Sequence, residues 1–498
     1  MTEPPTTASA TLSRARSRFG VSLPLILGLL VYSRVILSGG AVIHDGDPYW
    51  HIATGRWIIA HGAVPTHDVF SYSMPEAAWI SPEWLTEIFM ALLYDNFGWA
   101  GLVGATAFSV AASVAILLRV LLRTLLPVPA LIAAVLAWGT TLTFLVARPH
   151  IFALPILVAW VAALVAARSE DRAPPLHLAL LMVLWANIHS SYMFGLLLAA
   201  ALAGEAVLLA SNSRSRLRAA RGWGLFGAVS VLAALITPFG IDGLLLPFKL
   251  FHMSFSFAVL AEWQSPNFQH FEPLELWIMV LLFAAFSLGW RLPPMRVGIL
   301  LVLLHMALEH ARHAELLGFV APLVLAPALG PQLKARLGDR RVFPIDRSMS
   351  EFAKPATAFG TVLAGAILLA VSVAKLHGVA IKPGVSTPAA ALAAVAADHV
   401  EGPVLNDYEF GGYLIFRGVR PFIDGRYLYG DVFIRRFVEA TQVSSDQLPQ
   451  LLSEYGITWT LFSARRPAVV VLDRLPGWRR LYADDIAVVH VRDDETTH

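Results

Sequence analysis

The chain has 498 residues, of which 57% are hydrophobic and only 14% charged, and its mean hydropathy is +0.63. Soluble domains carry about a quarter charged residues, so this composition excludes an ordinary water-soluble globule and makes lipid the main solvent. A net charge of +2 gives no footing for nucleic acid, and the absence of cysteine excludes disulfides, thiolate metal sites and a cysteine nucleophile.

In chain order, residues 1–20 read as a short tail and Val21–Ile43 as a first membrane span. That apolar stretch is longer than the roughly 7–15 residues of a signal-peptide core, so it reads as a retained span. Further stretches long enough to cross about 30 Å of hydrocarbon lie at 99–122, 128–147, 150–167, 176–189, 191–210, 222–239, 273–290, 295–309, 313–331 and 356–376. The expectation is an α-helical polytopic membrane protein of about eleven spans over 21–376. No repeat of about 20–50 residues is visible, which argues against solenoids and propellers.

Basic residues alternate between loops. Arg14, Arg16 and Arg18 precede the first span; Arg119 and Arg123, Arg168 and Arg172, Arg214 to Arg221, Arg291 and Arg296, and Lys334 to Arg347 mark every second loop after it. The intervening loops hold only Arg56, Arg148, Lys249 and Arg312. Positive residues stay in the cytosol, so this pattern predicts a cytoplasmic N-terminus in a plasma membrane, and the Ala- and Arg-rich usage points to a bacterial inner membrane. It also predicts an extracytoplasmic tail over 377–498.

The first external loop, 44–98, is acidic and aromatic: Asp45, Asp47, Asp68, Glu76, Glu83 and Glu87 face a single Arg. Asp47, Pro48 and Gly62 bracket a helix as cap, first turn and stop. Its Trp50, Trp57, Ile58 and Ile59 suit the membrane interface. A second interfacial helix should start near Ser81–Pro82. Asp47 is either only a helix cap or a working carboxylate. His51 follows it by four residues, so the two can share a face. The spacing of Asp45 and Asp47 would also allow a divalent cation held by oxygen ligands.

The tail reads as a small α/β domain. Helices are expected at Ala389–His399, Asp431–Ala440 and Gln447–Tyr455, with strands at Pro403–Asn406, Pro421–Asp424, Ile457–Ser463 and Ala487–Arg492. Its Asp424-Gly425-Arg426 either contacts an acceptor or is a turn held by an Asp–Arg pair, and the pair is the plainer reading. The Asn406–Tyr413 segment would close the cavity from above.

The run Asp45-Gly-Asp47-Pro-Tyr-Trp-His51-Ile-Ala-Thr-Gly-Arg56-Trp, ending at His61-Gly62, resembles the GT-C superfamily of multispan glycosyltransferases that take polyprenyl-phosphate sugars as donors. Those proteins share a first span, an external acidic loop with interfacial helices, and many further spans. Within that superfamily the chain is similar to an uncharacterised bacterial group. The segments that carry this likeness are Trp79…Pro82-Glu83-Trp84-Leu85, Ala147-Arg148-Pro149-His150, Trp185-Ala186-Asn187-Ile188-His189, Thr237-Pro238-Phe239-Gly240, Glu262-Trp263-Gln264-Ser265-Pro266, Asn406-Asp407-Tyr408…Gly411-Gly412-Tyr413 and Ile423-Asp424-Gly425-Arg426. One departure matters: some relatives have a Glu-Lys-Pro-Pro stretch whose Lys helps hold phosphate, whereas this chain has Ser81-Pro82-Glu83 and no Lys.

The resemblance implies a transferase whose leaving group is already a phosphate anion and so needs no general acid, unlike glycoside hydrolysis. Such a site needs cations on the phosphate and one carboxylate to take the acceptor's proton from the opposite side. Asp47 is the candidate base, with Asp45 second. Arg148 and Arg312 are favoured as phosphate clamps because guanidinium binds two oxygens in a plane; His51, Glu83, His150, His189, Glu262, His310 and His313 complete the expected binding set. Plainer readings stand beside these: Arg148 as a snorkelling side chain, His310 and His313 as partners of Glu309 or caps, Asn187 and His189 as interhelical bridges, and Glu262–Trp263 as an interfacial anchor. Arg34, inside the first span, stays unassigned. A transporter or flippase, a polysaccharide polymerase or ligase, and a non-catalytic assembly factor are the competing functions. The concentration of polar groups at one face, with no repeated halves, separates the chain from transporters.

Overall fold

The computed structural model describes residues 16–250, 255, 263–337, 346, 349–377, 386–443 and 446–493. Apolar runs punctuated by Pro and Gly become helices. α1 (Leu23–Ser38) has Pro in its first turn and stops at Gly39, φ 54°. α2 (Asp47–His61) likewise begins with Pro48 and ends at Gly62, whose φ of 64° is left-handed and whose N–H bonds to the Ile58 carbonyl. Pro has no N–H to lose in a first turn, and Gly tolerates the left-handed stop. α3 (Trp84–Leu121) is broken at Gly98, φ 61°. The expected interfacial helix and second span are therefore two helical segments that meet at a kink.

The bundle continues with α4 (Pro127–Thr141), α5 (Pro149–Ser169), α6 (Ala179–Ala186), α7 (Tyr192–Leu208), α8 (Ser213–Ala234), α9 (Gly240–Leu250), α10 (Pro273–Leu288), α11 (Pro294–Glu309), α12 (Ala314–Leu337) and α13 (Ala358–Leu376). Each of the eleven expected segments holds a helix. Six helices among the described residues are long and apolar enough to cross a membrane: those within Leu23–Ile43, Trp84–Leu121, Pro127–Phe144, Pro149–Ser169, Ala311–Arg336 and Ala358–Leu376. The others fall short in length or composition. α6 is only 8 residues long, against about 20 for a straight crossing, and α8 opens with Arg214, Arg216, Arg218 and Arg221. The chain is an integral membrane protein.

Close helix approach uses small residues, as expected where lipid competes with every apolar contact. A Cβ on Gly28 of α1 would lie 3.3 Å from Ala115 of α3, one on Gly55 of α2 would strike the Glu87 carbonyl, and one on Gly318 of α12 would strike Thr140 of α4. Several of the basic loops meet at one end of the bundle: Gly330 lies against Thr124, Gly222 against Ala173, and Gly289 against Arg336. There Arg296 donates to buried Glu205 at 3.1 Å, with Arg168 3.5 Å from the other oxygen.

The acidic loop and the tail share another end. In the tail follow α14 (Ala389–Ala397), β1 (Val404–Asn406), α15 (Gly411–Phe416), α16 (Gly430–Ala440), α17 (Gln447–Glu454), β2 (Trp459–Ser463), α18 (Pro467–Leu472), β3 (Trp478–Ala483) and β4 (Ala487–Arg492). The sheet order is β1-β2-β4-β3. β1 runs parallel to β2 with Val404 opposite Trp459; β4 is antiparallel to both β2 and β3. One expectation needs correcting. Pro421–Asp424 is not a strand: the Asn406 side chain accepts from Phe422 N at 2.7 Å and donates to the Ile423 carbonyl at 2.7 Å, satisfying that backbone without a ladder. β3, α15 and α18 were not expected.

Candidate active site

The start of α2 gathers the charges. Asp45 Oδ1 accepts the Asp47 N–H at 2.8 Å, an Asx-type turn that leads into the helix. The local capping role thus falls to Asp45, and Asp47 is the first helical residue after Gly46. The Asp47 carboxylate accepts from Trp50 Nε1 at 3.0 Å through Oδ1 and lies 3.2 Å from Arg148 Nη2 through Oδ2. The same Arg148 nitrogen pairs with Asp45 Oδ2. Arg148 sits just before α5, whose Pro149 sets the first turn. One guanidinium from the third expected loop boundary thus ties together both carboxylates of the first.

His51 lies one residue beyond Trp50, their rings tilted by 33° with centroids 3.6 Å apart. Its Nδ1 lies 3.2 Å from Glu87 Oε1, which also accepts from Ser81 Oγ at 2.8 Å. Glu87 is fully buried and its Oε2 has no hydrogen-bond partner among the described residues. Burial pushes the His51 imidazole well below its usual range; the charge of Arg148 and the neighbouring His189 and His150 push the same way. Burial thus favours the uncharged imidazole of His51, which lies in the same neighbourhood as those three residues and meets Glu87. The rings of His150 and His189 lie 6.2 Å apart, and His189 Nδ1 accepts the Ser191 N–H at 3.1 Å. Asn187 bridges helices: it accepts from Trp84 Nε1 at 2.7 Å and donates to the Val183 and Ile236 carbonyls at 2.8 Å.

A second group collects around Trp263. The Arg312 guanidinium stacks on its ring at 4.6 Å. His310 Nδ1 lies 2.6 Å from the Trp263 carbonyl, and its ring 5.4 Å from that of His313. His310 also comes within 3.9 Å of Glu309. Glu83, the residue before α3, is pushed up from the usual 4.5 to about 7 by burial, opposed by Arg312. Glu83 and Arg312 thus sense each other across the group. Glu262 falls outside the described residues. Arg34 faces outward and donates to Ser38 Oγ at 2.7 Å.

The tail roofs the first group. A Cβ on Gly412 would lie 2.2 Å from the Gly46 carbonyl, and one on Gly425 would lie 2.4 Å from Asp47 Oδ1 and 3.3 Å from Trp50 Nε1. Asp424 and Arg426 are a buried pair, the plainer of the two expectations, but with a reach that sequence did not show. Arg426 donates to Asp424 through Nε at 2.8 Å and Nη2 at 2.7 Å, and through Nη1 to Asp68 of the first loop at 2.6 Å. Tyr429 donates to Asp424 Oδ2 at 2.6 Å. Glu87, Asp68 and Trp50 were seen only as acids and an aromatic of the first loop, and Gly425 only within the Asp424–Arg426 turn; none was expected beside Asp47 or His51.

A divalent cation does not fit between Asp45 and Asp47 as they stand, because the Arg148 guanidinium fills the space the two carboxylates share. Among the described residues no group of three or more His, Asp and Glu side chains could hold a metal ion.

Beside these groups lies an apolar cavity of about 550 Å3 lined by Trp84, Leu85, Leu180, Leu184, Ile236 and Pro238, among others. Trp84 adjoins Glu83, and Asn187 in its wall lies two residues before His189.

No protein-family model matches the chain, and no curated protein matches it. Among solved structures it is similar to the archaeal oligosaccharyltransferase AglB from Archaeoglobus fulgidus, in complex with an inhibitory peptide and a dolichol-phosphate. That match has 11% identity and a TM-score of 0.48, and covers 88% of this chain and 69% of that one. It is also similar to ArnT from Cupriavidus metallidurans bound to undecaprenyl phosphate, at 14% identity and a TM-score of 0.44, and to ArnT in the apo state, at 13% and 0.49. Both ArnT matches cover 94% of this chain and 97% of the other.

Proposed function

We propose that the chain is a membrane glycosyltransferase that moves a sugar from a polyprenyl-phosphate donor to an acceptor on the extracytoplasmic face. The reading takes the eleven expected spans within 21–376 as crossings, residues 1–20 as cytosolic, and 377–498 as an external α/β domain. One observation carries it: two carboxylates bridged by Arg148 at the end of an apolar bundle, with Asp47 held at both oxygens. Preorganised charge of this kind is what transfer chemistry requires.

In this reading Asp47 takes the acceptor's proton as the acceptor oxygen bonds to the anomeric carbon. The carbon–oxygen bond to phosphate breaks on the opposite face, and the polyprenyl phosphate leaves as an anion with inversion. Arg148 offsets part of the charge of the paired carboxylates, and Arg312 with the imidazoles of His310 and His313 meets the phosphate in place of the absent Lys. The apolar cavity beside Glu83 suits a prenyl chain entering from lipid.

Asp47→Asn tests the reading in vesicles supplied with lipid-linked sugars. Membrane abundance should be unchanged and transfer should fall by about 10²–10⁴, the usual worth of a positioned base. Full transfer by this variant would remove Asp47 from the mechanism; transport of the lipid without glycan product would favour a flippase.

A further inference from the structure

We infer that the buried turn Asp424–Gly425–Arg426 completes the reactive site, Gly425 forming the wall behind the Asp47 carboxylate and Arg426 acting as the positioning residue that holds it. The inference rests on the reading of Asp47 as the acceptor's base.

Three observations converge. First, the approach is closer than any side chain permits: a Cβ at Gly425 would lie 2.4 Å from Asp47 Oδ1, so the atom forced to move is the carboxylate itself. Second, the turn cannot drift. Arg426 spans Asp424 within the turn and Asp68 in the first loop, 358 residues apart in sequence, with all three side chains wholly buried. Third, Arg426 reaches Asp47 through aromatic contacts. Its guanidinium lies 4.7 Å from the Trp79 ring, Trp79 sits edge-on to Trp50 at 6.4 Å, and Trp50 Nε1 donates to Asp47. Trp50, Trp79 and Ile415 form one buried cluster, so the tail contributes a side chain to it as well. A fork of five donors suits this double pairing; the single ammonium of Lys does not.

The test uses full-length protein in vesicles. With synthetic short-chain polyprenyl-phosphate hexoses and pentoses, Gly425→Ala and Arg426→Lys should lower kcat on the order of 10–100-fold, because displacements of about 1 Å cost that much. KM for the lipid should stay within about twofold, since binding elsewhere is untouched. The acid limb of the pH profile should move upward as Asp47 loses the Trp50 hydrogen bond. A second measurement needs no substrate. The chain has no cysteine, so Asp47→Cys can be timed against 2-sulfonatoethyl methanethiosulfonate with and without Arg426→Lys. Labelling should become about tenfold faster in the double variant, the effect of a local opening made easier by about 1.4 kcal/mol. Leu405→Cys, in the tail's buried interior, should stay unreactive in both backgrounds. Unchanged labelling, or unchanged kcat and acid limb while Asp47→Asn is inactive, overturns this inference alone. Full activity in Asp47→Asn overturns the underlying reading instead. Loss of folded protein in both Gly425→Ala and Arg426→Lys, or labelling of Leu405→Cys, would assign the turn to folding only and overturn it too.

Discussion

Two corners of this molecule have the same composition, one Arg between two Asp, and differ in their water. Arg148 sits between Asp45 and Asp47 with side-chain exposures of 18%, 16% and 22%. Arg426 sits between Asp68 and Asp424 with all three at 0%. In the first corner partial hydration leaves the charges available to a reactant. In the second, burial opposes the Arg426 charge, and Asp424 and Asp68 more than offset it, raising the guanidinium further above its usual range. On the proposed reading, identical charge arithmetic serves chemistry where solvent reaches it and architecture where solvent does not.

The contrast can be broken at either corner. Asp424→Asn should have the largest effect: leaving Arg426 buried with one carboxylate should cost about 3–5 kcal/mol of stability, read as the shift of an unfolding transition of the full chain in detergent. A shift matching a surface pair would erase the distinction. Arg148→Ala should do the reverse, lowering transfer on the order of 100-fold through lost preorganisation while costing about 1 kcal/mol of stability. Equal damage to folding would make the corner architectural. Glu83 sharpens the comparison with a smaller effect. Its folded carboxyl titrates near 7 against the usual 4.5, so the stability it contributes is complete below about 4.5 and is lost as pH rises through 7. Glu83→Gln should flatten that part of the stability–pH curve and leave the acid side unchanged.

Much of the bundle was legible because hydrocarbon imposes one length scale on every crossing, and Pro and Gly mark its ends. Gly98 illustrates the limit: the two helices flanking it were expected, but the kink that joins them depends on a single φ of 61°. The tail was legible where strands alternate and opaque where long-range bonds decide. Asn406 silences the expected strand at Pro421–Asp424 from fifteen or more residues away, and β3 carries Arg479 and Arg480 on an edge too polar to advertise itself. At the site, Asp45, Asp47 and Arg148 were visible as residue types in the right loops. That Arg148 spends its charge on both carboxylates, and that Asp68 meets Arg426, are facts of folding that no local spacing encodes.

The contact between Gly425 and Asp47 also sets an order of events during synthesis. The first helices can enter the bilayer while hundreds of residues are still untranslated. Their carboxylate corner then faces open water with no neighbour across it. Only when the ribosome has delivered residue 426 and the tail has docked does the enclosure exist. On the proposed reading, a truncated nascent chain would carry every charged group of the first loop and still lack the enclosure that completes the site.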